Sequence, residues 1–491
     1  MHSLTRRQVL AAPSLLAADE KAKPRAAVPK RVVGVTMMPE FIQNEGIDGV
    51  LRNLVDRAGV TAITTSPYVM EPVDEKTGSR EPPIDAGAGK VRRLDRPLWG
   101  KRELWVRTAP SFTHEMRFFE GLRYQPSAAN ELTAKQGGLI RDFVREAQRR
   151  KVKVYFQVQA AIPPGYRVQF GGPREEDRPR LPDGRLPSRT LSNNGSLGSP
   201  QIRSYLLSLV RDIFRAYPEI DGLRLDWPEY PPYFLDDLFT DFSEHAAGAA
   251  ADVRVVFNDA RKEASQWYGR LHGQLTNANC EKEIASFARL QGGSWTRIKR
   301  AMVNRLLEEV REVMDETGGR DKELVPNAFP PPFNYWSGIA PNVVAEPGRA
   351  ADAISVKFYT MHWPMMMRFY AEALLKANSG LDERRVVPAL ARWLKLADEG
   401  RYQSLADCRY PEPDEPHGVS AKAMAAKAEE ARFRFRGAAD RVYGLAHGYG
   451  PPADFRDRLQ ALYRAMGGRI WINRYGYLSD AKLDLIKEVC R

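Results

Sequence analysis

Eight short apolar segments alternating with amphipathic runs restrict the fold of this 491-residue chain more than any other feature. The segments are RVVGVTM (31–37), VTAITTS (60–66), VKVYFQVQ (152–159) and DGLRLDW (221–227), then ELVPNAF (323–329), AISVKFYT (353–360), RVYGLAHGY (441–449) and RIWINRY (469–475). Between most of them lie helical patterns such as GLIRDFVREAQRRK, PQIRSYLLSLVRDIFRAY, SWTRIKRAMVNRLLEEVREVMDE and ADFRDRLQALYRAMG. Strand–helix alternation predicts a parallel sheet. Eight repeats predict its closure into an α/β (β/α)8 TIM barrel.

Parity within the segments supports closure, because successive strand side chains face opposite sides. In the third segment Val152, Val154, Phe156 and Val158 share one face, and Tyr155, Gln157 and Gln159 the other. The fourth sets Leu223 and Leu225 against Arg224 and Asp226; the sixth sets Ile354, Val356 and Phe358 against Ser355, Lys357 and Tyr359. The eighth opposes Ile470 and Ile472 to Trp471 and Asn473. One apolar face thus packs on a helix layer, and the other carries polar groups towards the C-terminal mouth. An open, doubly wound sheet is disfavoured, since no G-x-G-x-x-G turn follows any strand.

A content of 43% hydrophobic and 28% charged residues is enough for a large core. The formal charge of +12 raises nucleic acid as a partner. Its lysines and arginines are scattered among acids, as on solvated helix faces, and no zinc-finger or RNA-binding signature appears. Arg6-Arg7 in TRRQVLAAPSLLAADE, before a short apolar stretch ending near Ala18, reads as a twin-arginine export signal, which would deliver the protein to the periplasm or beyond. No later stretch reaches the ~18 apolar residues of a membrane span. Cys280, Cys408 and Cys490 lie far apart in sequence, which leaves room for one disulfide but shows no metal spacing or disulfide framework. The expected organisation is a signal and linker over 1–30 and one barrel domain over 31–491. Long mouth-side connections fall near 70–130 and 160–199, and a helical insertion near 375–437 separates the sixth and seventh strands.

The stretch SPQIRSYLLSLVRDIFRAYPEIDGLRLDWPEYP (199–231) resembles the glycosyl-hydrolase-like, family 10-like barrel proteins, mostly bacterial and often exported. That group shows a P-x-V-R helix and then a Y-x-x-D-G-I-x-x-D strand ending in Y-P, matched here by Pro200, Arg203, Tyr217, Asp221, Gly222, Asp226, Tyr230 and Pro231. Residues 138–158 and 294–310 resemble its neighbouring helix–strand unit and W-R-x-x-N helix, so the likeness is best over about 138–330. The resemblance implies a (β/α)8 barrel and a carbohydrate-directed activity. It supports Asp226 and lends nothing to Glu229, where the group commonly carries arginine or an aromatic residue.

Glycoside hydrolysis generally needs two carboxyl groups, about 5–5.5 Å apart for retention and about 6.5–9.5 Å for inversion. Asp226 ends the fourth strand with inward parity and is either one of these or an ion-pair partner of Arg224 or Lys357. Glu229 is the nearest candidate for the second, with Glu40 and Glu71 behind it; each also reads as an ordinary loop acid. Aromatic residues gather at strand ends on the mouth side, among them Tyr68, Tyr155, Tyr230, Trp336, Tyr359 and Trp363, where rings can stack on sugar faces or simply cap the core. Gln157, Gln159, Asn327, Lys357, His362, His447 and Asn473 supply hydrogen-bonding groups. A carbohydrate is therefore the expected partner, with no cofactor or metal implied, since no H-x-H, H-E-x-x-H or G-x-S-x-G pattern occurs. Two alternatives remain open: a barrel that binds glycans without cleaving them, and a Schiff-base lyase using Lys357.

Overall fold

The computed structural model describes residues 30–83, 92–167, 171–344, 350–396 and 400–491, so the export-signal reading falls outside the described residues. Eight parallel strands close into a barrel: β1 (Val32–Thr36), β2 (Ala62–Thr65), β6 (Lys153–Gln159), β7 (Gly222–Asp226), β8 (Glu323–Ala328), β9 (Ile354–Phe358), β10 (Val442–His447) and β11 (Arg469–Asn473). Their order round the ring is β1-β11-β10-β9-β8-β7-β6-β2, with β2 returning to β1. Each of the eight apolar segments supplies one of these strands, and the fold is a (β/α)8 TIM barrel. Three further strands, β3 (Tyr68–Val73), β4 (Ser79–Glu81) and β5 (Leu104–Pro110), form an antiparallel sheet within the first long connection.

The helix preceding β7, Pro200–Ala216, shows why the alternation folds this way. Ser199 caps it by accepting from the Gln201 and Ile202 amides, and Pro200 occupies the first turn, where no amide hydrogen is needed. Ile202, Leu206, Leu209, Val210 and Ile213 form a buried stripe at helical spacing. Asp221 then ties the start of β7 to β6, its Oδ2 accepting from the Val154 amide at 2.8 Å. Gly222 follows because a Cβ there would collide with the Glu323 carbonyl oxygen and the Tyr155 ring. Several residues of the family-like motif are thus spent on architecture. Tyr217 meets the Ser111 hydroxyl at 2.7 Å, and Arg203 pairs with Glu309 at 2.7 Å.

Inside the barrel, Val32, Ala62, Tyr155, Val325, Tyr443, Leu445 and Trp471 form a core of their own. Gly34 leaves the space that the Trp471 ring fills. Arg224 is buried at this level, its guanidinium carbon 4.0 Å from the Trp471 ring centroid. Burial lowers its pKa to about 10. Of the long connections, 160–199 is mostly irregular, whereas the stretch 375–437 holds the end of the helix His362–Ala377 and the helices Glu383–Trp393 and Ala421–Arg434. Cys280, Cys408 and Cys490 are buried and free. Among the described residues no helix is long and apolar enough to cross a membrane.

Candidate active site

At the C-terminal mouth lies a cavity of about 170 Å³, lined by Gln157, Gln159, Asp226, Trp227, Tyr233, Asn327, Lys357, Tyr359, His362 and Asn473 from the barrel side. Met38, Pro83, Arg92, Tyr166, Arg167, Leu191, Ser192 and Arg474 complete it from the loops. Inward parity on β6, β7, β8, β9 and β11 turns Gln157, Gln159, Asp226, Asn327, Lys357 and Asn473 into the barrel near its C-terminal end, where all six line the cavity.

Asp226 is at the centre of this group. Its Oδ1 accepts from Asn327 Nδ2 at 3.0 Å and from the Trp227 amide at 3.2 Å, and lies 3.0 Å from Lys357 Nζ. The orientation of Asn327 is set from below, since Arg224 Nη2 donates to its Oδ1 at 3.0 Å and to Ser355 Oγ at 2.9 Å. With its oxygen committed to Arg224, the amide must present its NH₂ to the carboxylate. Trp227 sits at φ +54°, a left-handed conformation that is costly for a bulky residue and that gathers at functional sites. Its ring stacks on Tyr233 at 6.0 Å. Lys357 Nζ lies 5.4 Å from the Trp227 centroid and 5.0 Å from that of Phe329, so the ammonium rests against two aromatic faces.

Glu229 lies beneath this surface. Ser337 Oγ donates to its Oε2 at 2.5 Å and the Phe329 amide at 3.4 Å, while Oε1 is 3.9 Å from Lys357 Nζ. Burial raises its pKa to about 7 against the opposing pull of Lys357. The side-chain exposures are 17% for Asp226, 4% for Lys357 and 0% for Glu229, so Asp226 alone of the three carries appreciable open surface. Lys357 bridges the two acids, and its distances to them laid end to end put Asp226 Oδ1 and Glu229 Oε1 no more than about 7 Å apart.

Other expected site residues lie elsewhere. Tyr155 is in the barrel interior, edge-on to Trp471 at 5.4 Å. Tyr68 is buried behind the cavity wall, 5.9 Å from the Tyr166 ring, its hydroxyl against Met38 Sδ at 3.4 Å. The Tyr230 hydroxyl donates to Asp241 at 3.2 Å and accepts from the Leu197 amide. Trp336 stacks on Phe287 at 4.4 Å, and Trp363 lies edge-on to Phe358 at 6.2 Å. His447 is buried beside the cavity, 5.0 Å from the Tyr359 ring and 3.1 Å from Arg92 Nη2. Glu71 pairs with Arg107 on the antiparallel sheet.

A second charged cluster has no local signature in the sequence. Glu40, just after β1, and Glu81, at the end of β4, are fully buried and hold Arg167 and Arg474 between them. Arg167 is 3.3 Å and Arg474 3.6 Å from Glu40 Oε1, and both arginines also pair closely with Glu81. Burial raises the Glu40 carboxyl to about 7, with the arginines pulling the other way. The sequence trace of this cluster is position: Arg474 directly follows β11, Glu40 stands in the first turn of the helix after β1, and Arg167 lies within the mouth-side connection after β6.

No family model matches the chain, and no curated protein matches its sequence. Among solved structures the chain is similar to the PgaB (BpsB) glycoside hydrolase domain from Bordetella bronchiseptica, at 12% identity over 94% of this chain and 99% of that one, with a TM-score of 0.50. It is also similar to the catalytic domain of β-amylase from Paenibacillus polymyxa, at 10% identity over 93% and 95% of the two chains, with a TM-score of 0.46. At such identities what is shared is the barrel.

Proposed function

We propose that the protein is a glycoside hydrolase acting on a poly- or oligosaccharide at the barrel mouth, as the resemblance to family 10-like barrel proteins also suggests. The observation that carries this reading is the pairing of two carboxyl groups in unlike environments within about 7 Å: Asp226 open to the cavity beside an ammonium, and Glu229 buried with its pKa raised to about 7. Environments that push two acids apart divide the labour of acid and base. Asp226 acts as nucleophile or as base towards water at the anomeric carbon. Glu229, protonated in part at neutral pH, supplies the proton to the leaving oxygen. Lys357 holds both acids in register, and Gln157, Gln159, Tyr359, His362 and Asn473 meet sugar hydroxyls and faces. The Lys357–Asp226 pairing opposes the Schiff-base alternative, because an amine ion-paired with a carboxylate is not a free nucleophile. Delivery to the periplasm by the twin-arginine segment belongs to the same proposal.

The test is release of reducing ends from a polysaccharide panel by the wild type and by Asp226→Asn. Full activity in the variant on a glycan that the wild type cleaves removes the assignment. One observation favours the second reading, a glycan-binding barrel: Glu229 does not line the cavity. Retention on a glycan array without any release of reducing ends would select it.

A further inference from the structure

Next to the cavity at Asp226 is a second, smaller one of about 40 Å³. Leu191, Ser192 and Trp227 line both, so these three residues form the partition between them. Trp227 directly follows Asp226 and carries its left-handed φ of +54° in this partition. The small cavity is therefore a neighbour of the acid that the proposed reaction uses. Its walls are mainly apolar, with Pro179, Pro187, Leu191 and Pro231 beside Trp227 and Tyr230.

Two polar side chains interrupt those walls, Asn194 and Asp237. Asn194 Oδ1 accepts from Ser192 Oγ at 2.6 Å, which leaves the NH₂ as the open end of the amide. That Nδ2 is buried and has no hydrogen-bond partner among the described residues. Asp237 Oδ2 accepts from the Phe234 amide at 2.8 Å, and its carboxyl has no ion pair among the described residues. The nearby Lys299 Nζ donates to the Asp237 carbonyl oxygen instead, at 2.8 Å. Burial raises the Asp237 carboxyl to about 7.

Size and chemistry narrow the occupant. At roughly 10–15 Å³ for each water-sized group, the space takes about three such groups, too few for a sugar ring and enough for a substituent on one. An unmet amide donor and a carboxyl among apolar walls suit a group with one acceptor, one donor and a methyl. An acetamido group is such a group: its carbonyl accepts from Asn194, its N–H donates to Asp237, and its methyl packs on the prolines. A hydroxyl would leave the apolar walls unfilled. An ammonium would lose its water beside Arg178, which also lines the space.

We propose that the glycan carries an N-acetylated amino sugar whose acetamido group enters this pocket beside Trp227. This rests on the glycoside-hydrolase reading and names its substrate class.

The experiment measures binding, in the cold, of the wild-type chain to N-acetylhexosamine oligosaccharides and to counterparts with a free amine, a hydroxyl or an O-acetyl ester at the same position. The acetamido form is expected to bind about tenfold more tightly than each counterpart, the scale of a buried hydrogen bond made or left unmet. Asn194→Leu removes the amide donor at nearly constant size and should bring this preference down to about one. Thr190→Trp fills the pocket from an exposed lining position and should do the same, so it serves if Asn194→Leu does not fold. No preference for the acetamido form, equal binding of the O-acetyl ester, or a preference that survives both variants overturns the proposal. Cleavage confined to glycans without an acetamido group would leave the hydrolase reading standing and remove this one. An acetamido preference that the variants abolish, with no glycan cleaved, would do the reverse.

Discussion

Two buried charge clusters face each other across the mouth, and they differ in access more than in chemistry. On one wall Lys357 serves Asp226 and Glu229; on the other Arg167 and Arg474 serve Glu40 and Glu81. Each contains a glutamate whose burial raises its pKa to about 7, so a shifted pKa does not tell them apart. On the first wall an acid lines the cavity, and on the second only the bases do. Perturbed titration marks candidate sites, and what separates these two is the cavity-lining carboxylate beside the first glutamate.

The largest test of that division is Asp226→Asn. Glycan cleavage should fall about 10³-fold or more, as when a nucleophile or its equivalent is removed. Asparagine keeps the shape of the side chain and can still accept from Asn327 and the Trp227 amide, so the activity loss should far exceed any loss of stability read from melting curves. The opposite wall should behave inversely. Arg167→Met leaves two buried glutamates short of a counter-charge and should cost about 3–5 kcal/mol in urea unfolding. If it proved as stable as the wild type, the second cluster would not be a structural anchor.

Glu229→Gln should lower the turnover of natural glycosides about 10²-fold, with much smaller loss on substrates whose leaving group needs no proton, such as activated aryl glycosides. Equal loss on both would assign Glu229 a packing role like that of Glu40.

A smaller effect concerns pH. Glu40, Glu229 and Asp237 all have pKa values raised to about 7 by burial. In the unfolded chain such carboxyls release their protons near pH 4 to 4.5, roughly. The folded state therefore binds more protons over that window, and the contribution of these groups to stability falls as pH rises from about 4.5 to about 7. Glu40→Gln should flatten this fall by about 1–3 kcal/mol, measured as unfolding free energy at the two ends of the window. The smallest effect belongs to Glu71→Ala on the antiparallel sheet. Its partly exposed pair with Arg107 should be worth within about 0.5 kcal/mol, with cleavage unchanged.

The barrel itself was legible. Eight segments with two-residue parity and helical runs between them leave few other architectures, and each boundary falls within a few residues of the strand observed. The antiparallel sheet of β3, β4 and β5 was not anticipated, because it is built inside a connection that lacks the barrel's regular spacing. Aromatic residues were the least reliable guide. Tyr230, Trp336 and Trp363 sit near strand ends as expected, yet a residue one turn into a loop can point to the core as readily as to the mouth. Here all three are buried in it.

Inward parity sets Asp226, Lys357 and Asn473 on the mouth-facing side of their strands from the sequence alone, because a strand's alternation is a local property of its backbone. The sequence by itself therefore determined the barrel and the acid at its mouth. Only the tertiary structure decided that Lys357 joins Asp226 to Glu229, and that residues 92, 167 and 474 meet on the facing wall. Those contacts depend on how irregular loops pack over the closed ring, and no local pattern in the chain encodes where such loops come to rest.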